Sequence, residues 1–399
     1  MADLEAFRAE ARAWLEAKCP PEMRTPLRPG ESLVWGGRRE RFEAPGSKLW
    51  LERMVAKGWT VPTWPKEYGG AGLSKAEARV LQQEMRALGC RTALTSFGMT
   101  LLAPVVLEYG TEEQKKKFLP PIARGEIRWC QGYSEPGAGS DLASLQCAAV
   151  RDGDDYVVNG QKIWTTEAHL SDWIFCLVRT DKSGAKHDGI SFLLIDMDQP
   201  GVKATPIVLI SGSSDFCQTF FDGVRVPVAN RIGPENAGWT IAKRLLQHER
   251  EMLSEAGGST QTRKKRTLAE WARERLGAAE GEPLPDADIR DRIVRVEMDQ
   301  LAYSASLRRS IESAKAGRGP GPETSMFKLV VSELSKRRAD VRVRLAVVQG
   351  LGWEGEGFDE SDLEATRIWL ATKAESIAGG TSEIQKNIIA KRVLGLPGD

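Results

Sequence analysis

Apolar positions along this chain change their period twice. In residues 1–125 they recur at helical spacing: Leu4, Phe7, Ala11 and Leu15 share one face, and Leu49, Leu51, Met54 and Val55 begin another. Ser74-Lys75-Ala76-Glu77 reads as a helix start with a capping box, ahead of Val80, Leu81 and Met85. Gly58–Pro65 and Gly69–Gly72 read as loop, because clustered proline and glycine interrupt regular structure.

Residues 126–232 change to short β-type runs. Tyr156-Val157-Val158 followed by Asn159-Gly160 predicts a strand entering a hairpin turn. Trp173–Val178, Ile190–Ile195 and Phe220–Val226 are further strand runs, and their spacing predicts a small antiparallel barrel or sandwich. From 237 onward the helical period returns. Ile241, Leu245, Leu246 and Leu253 punctuate 239–253, and long charged amphipathic segments follow at 286–316, 323–350 and 361–378. Glycine and proline at 277–285 and 317–322 interrupt them. The expected fold class is α+β: a helical domain over 1–125, a β domain over 126–232 and a helical bundle over 233–399.

Charge and cysteine usage narrow the function classes. The 399 residues hold 56 basic and 55 acidic side chains, so nothing favours a polyanionic partner such as nucleic acid. No run approaches 18 apolar residues, so no membrane span is expected. The first ten residues already form a charged helical pattern, unlike a signal or transit peptide. Six scattered cysteines, without a Cys-x-x-Cys pair, read as reduced buried thiols of a cytoplasmic protein, and no metal site is expected.

Candidate chemistry concentrates in two stretches. Cys130-Gln131-Gly132-Tyr133-Ser134-Glu135-Pro136-Gly137-Ala138-Gly139-Ser140-Asp141 is glycine-rich, which permits tight turning and close approach to a flat or anionic ligand. Gly160-Gln161-Lys162-Ile163-Trp164-Thr165-Thr166 adds an aromatic face at Trp164 and small hydroxyls. Taken singly these are a surface turn and a core aromatic. Together, in this order and spacing, they resemble the flavin-contacting signature of the acyl-CoA dehydrogenase family. The resemblance extends through Pro62–Gly72, Phe221–Pro227, Ile377–Gln385 and Leu394–Pro397, and so covers essentially the whole chain.

The resemblance implies FAD as cofactor. By position, Gln131, Tyr133, Ser134 and Gly139 line the flavin, Trp164 covers its ring, and Thr166 meets the nitrogen that gains negative character on reduction. Ser140 matches a contact to the CoA portion of the substrate. Thr381 and Glu383 match further FAD contacts. Gln349-Gly350-Leu351-Gly352-Trp353 resembles the loop that reaches FAD across a subunit interface, with Trp353 where relatives carry a second glycine. Arg273 matches an arginine that pairs with FAD phosphate from the neighbouring subunit; it reads equally as a solvated helix arginine. An electron-transfer flavoprotein is the implied electron acceptor.

A base must remove the weakly acidic Cα proton of the thioester. Most relatives place a glutamate two residues before the tail threonine, and here that position is Gly379, which has no side chain. A minority place it on a helix before a retained arginine. Gln247-His248-Glu249-Arg250 stands at that point, which makes Glu249 the candidate base with Arg250 beside it at the substrate. By spacing alone Glu249 is one more carboxylate on a helix that also carries Glu251 and Glu255. His248 reads as a packing or surface histidine, and Glu375 is a remote substitute. The second function class is a half-site subunit, needing a related partner chain in a heterotetramer rather than a homotetramer. Oxidase or monooxygenase chemistry on this fold is a third. A base on this helix leans toward branched or polycyclic acyl groups.

Overall fold

The computed structural model describes residues 2–28, 31–256, 266–315 and 324–397; the side chains of 2, 249–256, 314, 315 and 324 lie outside the described set. The chain divides into two compact units. The first comprises Met1–Ile207 with Asp215–Arg263, the second Val208–Ser214 with Lys264–Asp399.

Unit 1 opens with helices α1 (Ala2–Lys18), α2 (Ser47–Ala56), α3 (Lys75–Ala87), α4 (Ala103–Tyr109) and α5 (Glu112–Ala123). The helical spacing of Ala11 and Leu15 is explained by their complete burial, with Trp50, Met54 and Leu81, in one apolar cluster. The expected capping box forms: Ser74 Oγ accepts the Glu77 N–H at 3.2 Å and the Glu77 carboxylate accepts the Ser74 N–H at 2.8 Å.

One eight-stranded sheet follows, built from β1 (Trp129–Gly132), β2 (Ala148–Asp152), β3 (Asp155–Thr166), β4 (Trp173–Arg179), β5 (Ile190–Asp196), β6 (Val202–Ile207), β7 (Phe216–Pro227) and β8 (Arg231–Ile232). Its order is β6-β7-β3-β2-β4-β5-β8, with β1 paired to β4. Most pairings are antiparallel, but β1–β4 and β2–β4 are parallel. β4 and β5 are buried almost throughout, which is why they read as continuous apolar runs instead of alternating ones.

The hairpin expected at Asn159-Gly160 is corrected. β3 continues through both residues with a bulge in its pairing to β7. Asn159 Oδ1 accepts the N–H of Gly223 at 2.8 Å, and a Cβ at Gly160 would lie 2.7 Å from Cys147 Cα. The glycine therefore answers a close backbone approach. The turn falls one hairpin earlier, at Gly153-Asp154, where Asp152 faces Asp155 and Gly153 is left-handed at φ 63°.

α6 (Gly238–Ala256) is the last described element of unit 1. Ile241, Ala242 and Leu245 bury against Leu102, Val106, Phe192 and Leu194, each large side chain contributing about 1.5–3 kcal/mol. Unit 2 holds α7 (Leu268–Leu276), α8 (Ala287–Lys315), α9 (Thr324–Ala346), α10 (Glu360–Ala371) and α11 (Ser382–Ile388). Trp271, Ile289, Ile293, Val341 and Leu345 form its core. Arg275 and Arg342 flank the Trp271 ring, and Arg275 pairs with fully buried Asp362. Among the described residues no helix is long and apolar enough to cross a membrane.

Candidate functional site

The two signature stretches meet in unit 1. Gln131 stands on β1 opposite Phe175, half-buried. The Tyr133 ring turns into the core, edge-on to Phe175 and Phe192 at 6.2 and 6.5 Å, so this residue presents backbone to the surface. The Ser134 carbonyl accepts the Ile163 N–H at 2.9 Å, which joins the first stretch to the second. Glu135 and Ala138 then exchange two backbone bonds of 3.0 Å each. Neither Gly137 nor Gly139 has a left-handed φ, and a Cβ on either would meet nothing within 4 Å. Glycine here leaves the surface bare; it is not required to bend it.

Trp164 and Glu167 are non-glycine residues with φ of 60° and 48°, bracketing Thr165 and Thr166. Each such conformation costs on the order of 1–3 kcal/mol, and strain of this kind collects at ligand-contacting positions. The β3–β7 register shifts between Lys162 and Thr165, so β3 bulges here by one residue before pairing resumes at Thr165. Trp164 is 53% exposed and sits edge-on to Phe216 at 6.3 Å. Glu167 is held by an ion pair with Arg128 and by its N–H to the Asp215 carbonyl at 2.7 Å. Among the described residues the Gln131 amide and the Ser134 and Thr166 hydroxyls form no hydrogen bond.

Ser140 is exposed on a segment pinned from behind. Its neighbour Asp141 pairs with Lys186 at 2.8 Å and accepts from Ser144, and these contacts hold its carboxyl below the ordinary aspartate range. Arg179 donates to the carbonyls of Ala143, Leu145, Lys186 and Asp188 at 2.6–3.3 Å. Burial pushes its guanidinium below the usual value.

On α6, Glu108 of α4 grips one face. Its Oε2 accepts Arg244 Nε at 2.9 Å and lies 3.2 Å from His248 Nε2. Burial would raise the Glu108 carboxyl, but these partners outweigh it and hold it low. His248 is thus a packing contact to α4. Positions 249 and 250 continue α6, with 249 four residues after buried Leu245; the Glu249 and Arg250 side chains lie outside the described set.

In unit 2 the loop after α9 carries Val347 at φ 50°. Gln349 Nε2 donates to Gly357 O at 3.3 Å, while its Oε1 is buried without a hydrogen-bond partner among the described residues. A Cβ at Gly352 would lie 2.3 Å from the Phe358 ring. Trp353 packs on Gly212, carries the Arg367 guanidinium 5.0 Å from its centroid, and borders an open cavity of about 540 Å³. Arg273 donates to the Ala279 and Glu282 carbonyls at 2.7 and 2.6 Å, which shapes its own loop. Thr381 caps α11 by accepting the Ile384 N–H at 3.2 Å. Glu383 is exposed on the first turn, where its own N–H and Thr381 hold its carboxyl low. Gly379 and Gly380 are both left-handed, and Lys328 Nζ donates to Gly380 O at 2.7 Å. Glu375 is exposed and accepts from Ser335 at 3.0 Å.

The sequence reading missed Lys162 and Glu135, a buried ion pair of 2.7 Å beneath the junction of the two stretches. A signal existed: Lys162 follows Tyr156 and Val158 in the inward register of β3.

Comparison with known proteins gives one consistent answer. Three family descriptions match in succession: "Acyl-CoA dehydrogenase, N-terminal domain" over residues 1–126, "middle domain" over 130–224 and "C-terminal domain" over 236–394. The chain is 38% identical over 397 residues to "Acyl-CoA dehydrogenase IpdE1" of Mycobacterium tuberculosis, covering 100% of this chain and 99% of that one. Among solved structures, the "Tcur3481-Tcur3483 steroid ACAD" is 30% identical with a TM-score of 0.73, covering 100% and 99%. The "ChsE4-ChsE5 complex from Mycobacterium tuberculosis" is 31% identical with a TM-score of 0.70, also covering 100% and 99%.

Proposed function

The chain belongs to the acyl-CoA dehydrogenase family, and we propose that it oxidises the Cα–Cβ bond of an acyl-CoA thioester with Glu249 as the base. Family membership makes FAD the cofactor. The residues present fit it: bare backbone at Gly137 and Gly139, an unengaged Thr166 hydroxyl, an exposed aromatic ring at Trp164 and an orphaned buried Gln349 Oε1. When bound, FAD supplies the acceptor for the hydride leaving Cβ. In this reading Glu249 takes the Cα proton, and the Cα–H electron pair becomes the new double bond as the hydride departs. The Thr166 hydroxyl donates to the flavin, and Trp164 shields it from water. Gln131, Ser134 and Gly139 are further cofactor contacts in this reading; Gln349, Gly352, Arg273, Thr381 and Glu383 are assigned to FAD by the family resemblance, Ser140 to the CoA portion of the substrate and Arg250 to the substrate beside the base.

The observation that carries Glu249 is the bare position 379. Gly379 offers no carboxylate and is left-handed, so the tail cannot supply the base, while α6 carries a glutamate four residues after a buried leucine. Relatives that share this chain's length include a structure described as a steroid enzyme, which supports a bulky, branched or polycyclic acyl group. An electron-transfer flavoprotein is the proposed acceptor, and the cytoplasm the proposed location, on six free, buried thiols. Glu249→Gln should lower the rate of flavin bleaching by acyl-CoA about a hundredfold or more while FAD stays bound. Near-normal bleaching in that variant would remove Glu249 from the role.

A second reading, an obligate heterotetramer with a related chain, is favoured by Trp353, which stands where the family resemblance has a second glycine and is seated on Gly212. The two paired-chain complexes among the solved relatives support it. Purifying this chain alone decides: bound FAD with its own activity excludes a required partner.

A further inference from the structure

Lys162 is fully buried and Glu135 nearly so, yet neither faces the surface that the proposed reaction uses. Lys162 Nζ donates to Glu135 Oε1 at 2.7 Å and to the Tyr133 carbonyl at 3.1 Å. Glu135 in turn accepts the Cys147 N–H at 2.9 Å and the Gln146 N–H at 2.6 Å, so both its oxygens are engaged. Three separate segments therefore converge on one ion pair: the exit of β1, the entry to β2 and the middle of β3. A well-packed apolar pair could supply comparable stability at such a site. What an apolar pair could not supply is direction, because three of these four bonds fix a backbone atom at a set distance.

The fixed atoms lie next to strained ones. One residue past Lys162, Ile163 donates to the Ser134 carbonyl; the next residue is Trp164 at φ 60°, inside the bulge where the β3–β7 register shifts. A left-handed tryptophan persists only where its surroundings over-determine it. We propose that the Lys162–Glu135 pair is a positioning device for the flavin-facing surface. It sets Ser134 and holds Trp164 turned outward, acting through them without touching the ligand. This rests on the reading that residues 131–134 and 164–166 face FAD.

The test uses the full chain purified with FAD, and the double variant Lys162→Met/Glu135→Gln, which removes both charges and keeps an acceptor for one of the two N–H groups. The expected result is a folded protein, by far-UV circular dichroism, whose FAD dissociation constant rises tenfold or more and whose visible flavin bands move toward those of free FAD. FAD affinity within twofold of the parent chain with unchanged bands would overturn the proposal, since a merely structural pair would alter melting alone. If the double variant does not fold, Lys162→Arg keeps the charge and moves the donors; a threefold or greater loss of FAD affinity supports the proposal and parent-like affinity overturns it. Trp164→Ala is measured alongside. If it shifts the flavin bands while the pair variants do not, only the positioning role fails. If neither shifts them, the flavin-facing reading itself fails.

Discussion

The β1–β3 junction and the tail of unit 2 both carry family signatures, yet they are held differently. At residues 131–166 the backbone is cross-tied within the chain: Ser134 to Ile163, Lys162 to Tyr133 and Glu135, Glu167 to Arg128. Strain at Trp164 and Glu167 is tolerated because these ties surround it. At residues 347–383 local caps such as Thr381 at the start of α11 stand beside single side-chain contacts from other helices of unit 2, Lys328 to the Gly380 carbonyl and Arg275 to Asp362. Val347, Val348 and Leu351 stand exposed there, and a buried amide oxygen on Gln349 has no partner among the described residues. The first region is held by ties between segments and leaves one large ring, Trp164, turned outward; the second leaves a cluster of apolar side chains exposed.

Glycine substitutions break this comparison most sharply. Gly139→Ala should leave stability within about 0.5 kcal/mol, because no left-handed φ and no neighbour opposes a Cβ, while FAD affinity falls tenfold or more. Gly379→Ala should do the reverse, costing about 1–2 kcal/mol from its left-handed backbone with little change in FAD affinity. Urea unfolding and FAD titration read both; equal stability losses at the two sites would refute the distinction.

A smaller effect sharpens the strain argument. With the ring gone in either case, Trp164→Gly should be more stable than Trp164→Ala by about 1 kcal/mol, because glycine accepts φ 60° without penalty. Both variants should bind FAD more weakly than the parent chain. Equal melting temperatures would mean that the left-handed conformation relaxes once the indole is removed.

The smallest effect concerns the grip on α6. The Glu108 carboxyl is held below its ordinary value by Arg244 and His248, against the raising effect of burial. Its contribution is therefore full above the unfolded glutamate pKa of about 4.3 and is lost as the pH falls through the lower folded value. Glu108 is partly exposed, so solvent screening limits this to a few tenths of a kcal/mol. Glu108→Gln should lower stability slightly at pH 7 and not at all near pH 2. An undiminished difference in acid would assign the effect to packing.

Much of the fold was legible in residue order. The capping box at Ser74, the apolar runs of β4 and β5 and the helical spacing on α6 depend on neighbours within a few positions, and each appears where the pattern put it. The Asn159-Gly160 hairpin failed because the glycine there answers Cys147, thirteen residues upstream at the entry to the adjacent strand, and not its own turn. The Lys162–Glu135 pair escaped for the same reason: a buried charge is recognisable only with its partner in view.

The sequence by itself determined the family, since the spacing of 130–141 and 160–166 is a feature of order and identity, as are the glutamate before Arg250 and the glycine at 379 on which the proposed base rests. Only the tertiary structure decided which of those residues are turned outward, that Tyr133 packs inward while Trp164 does not, and what holds them so. The physical reason is that side-chain direction depends on burial and on hydrogen bonds between segments distant in the chain, and these exist only once the sheet has formed.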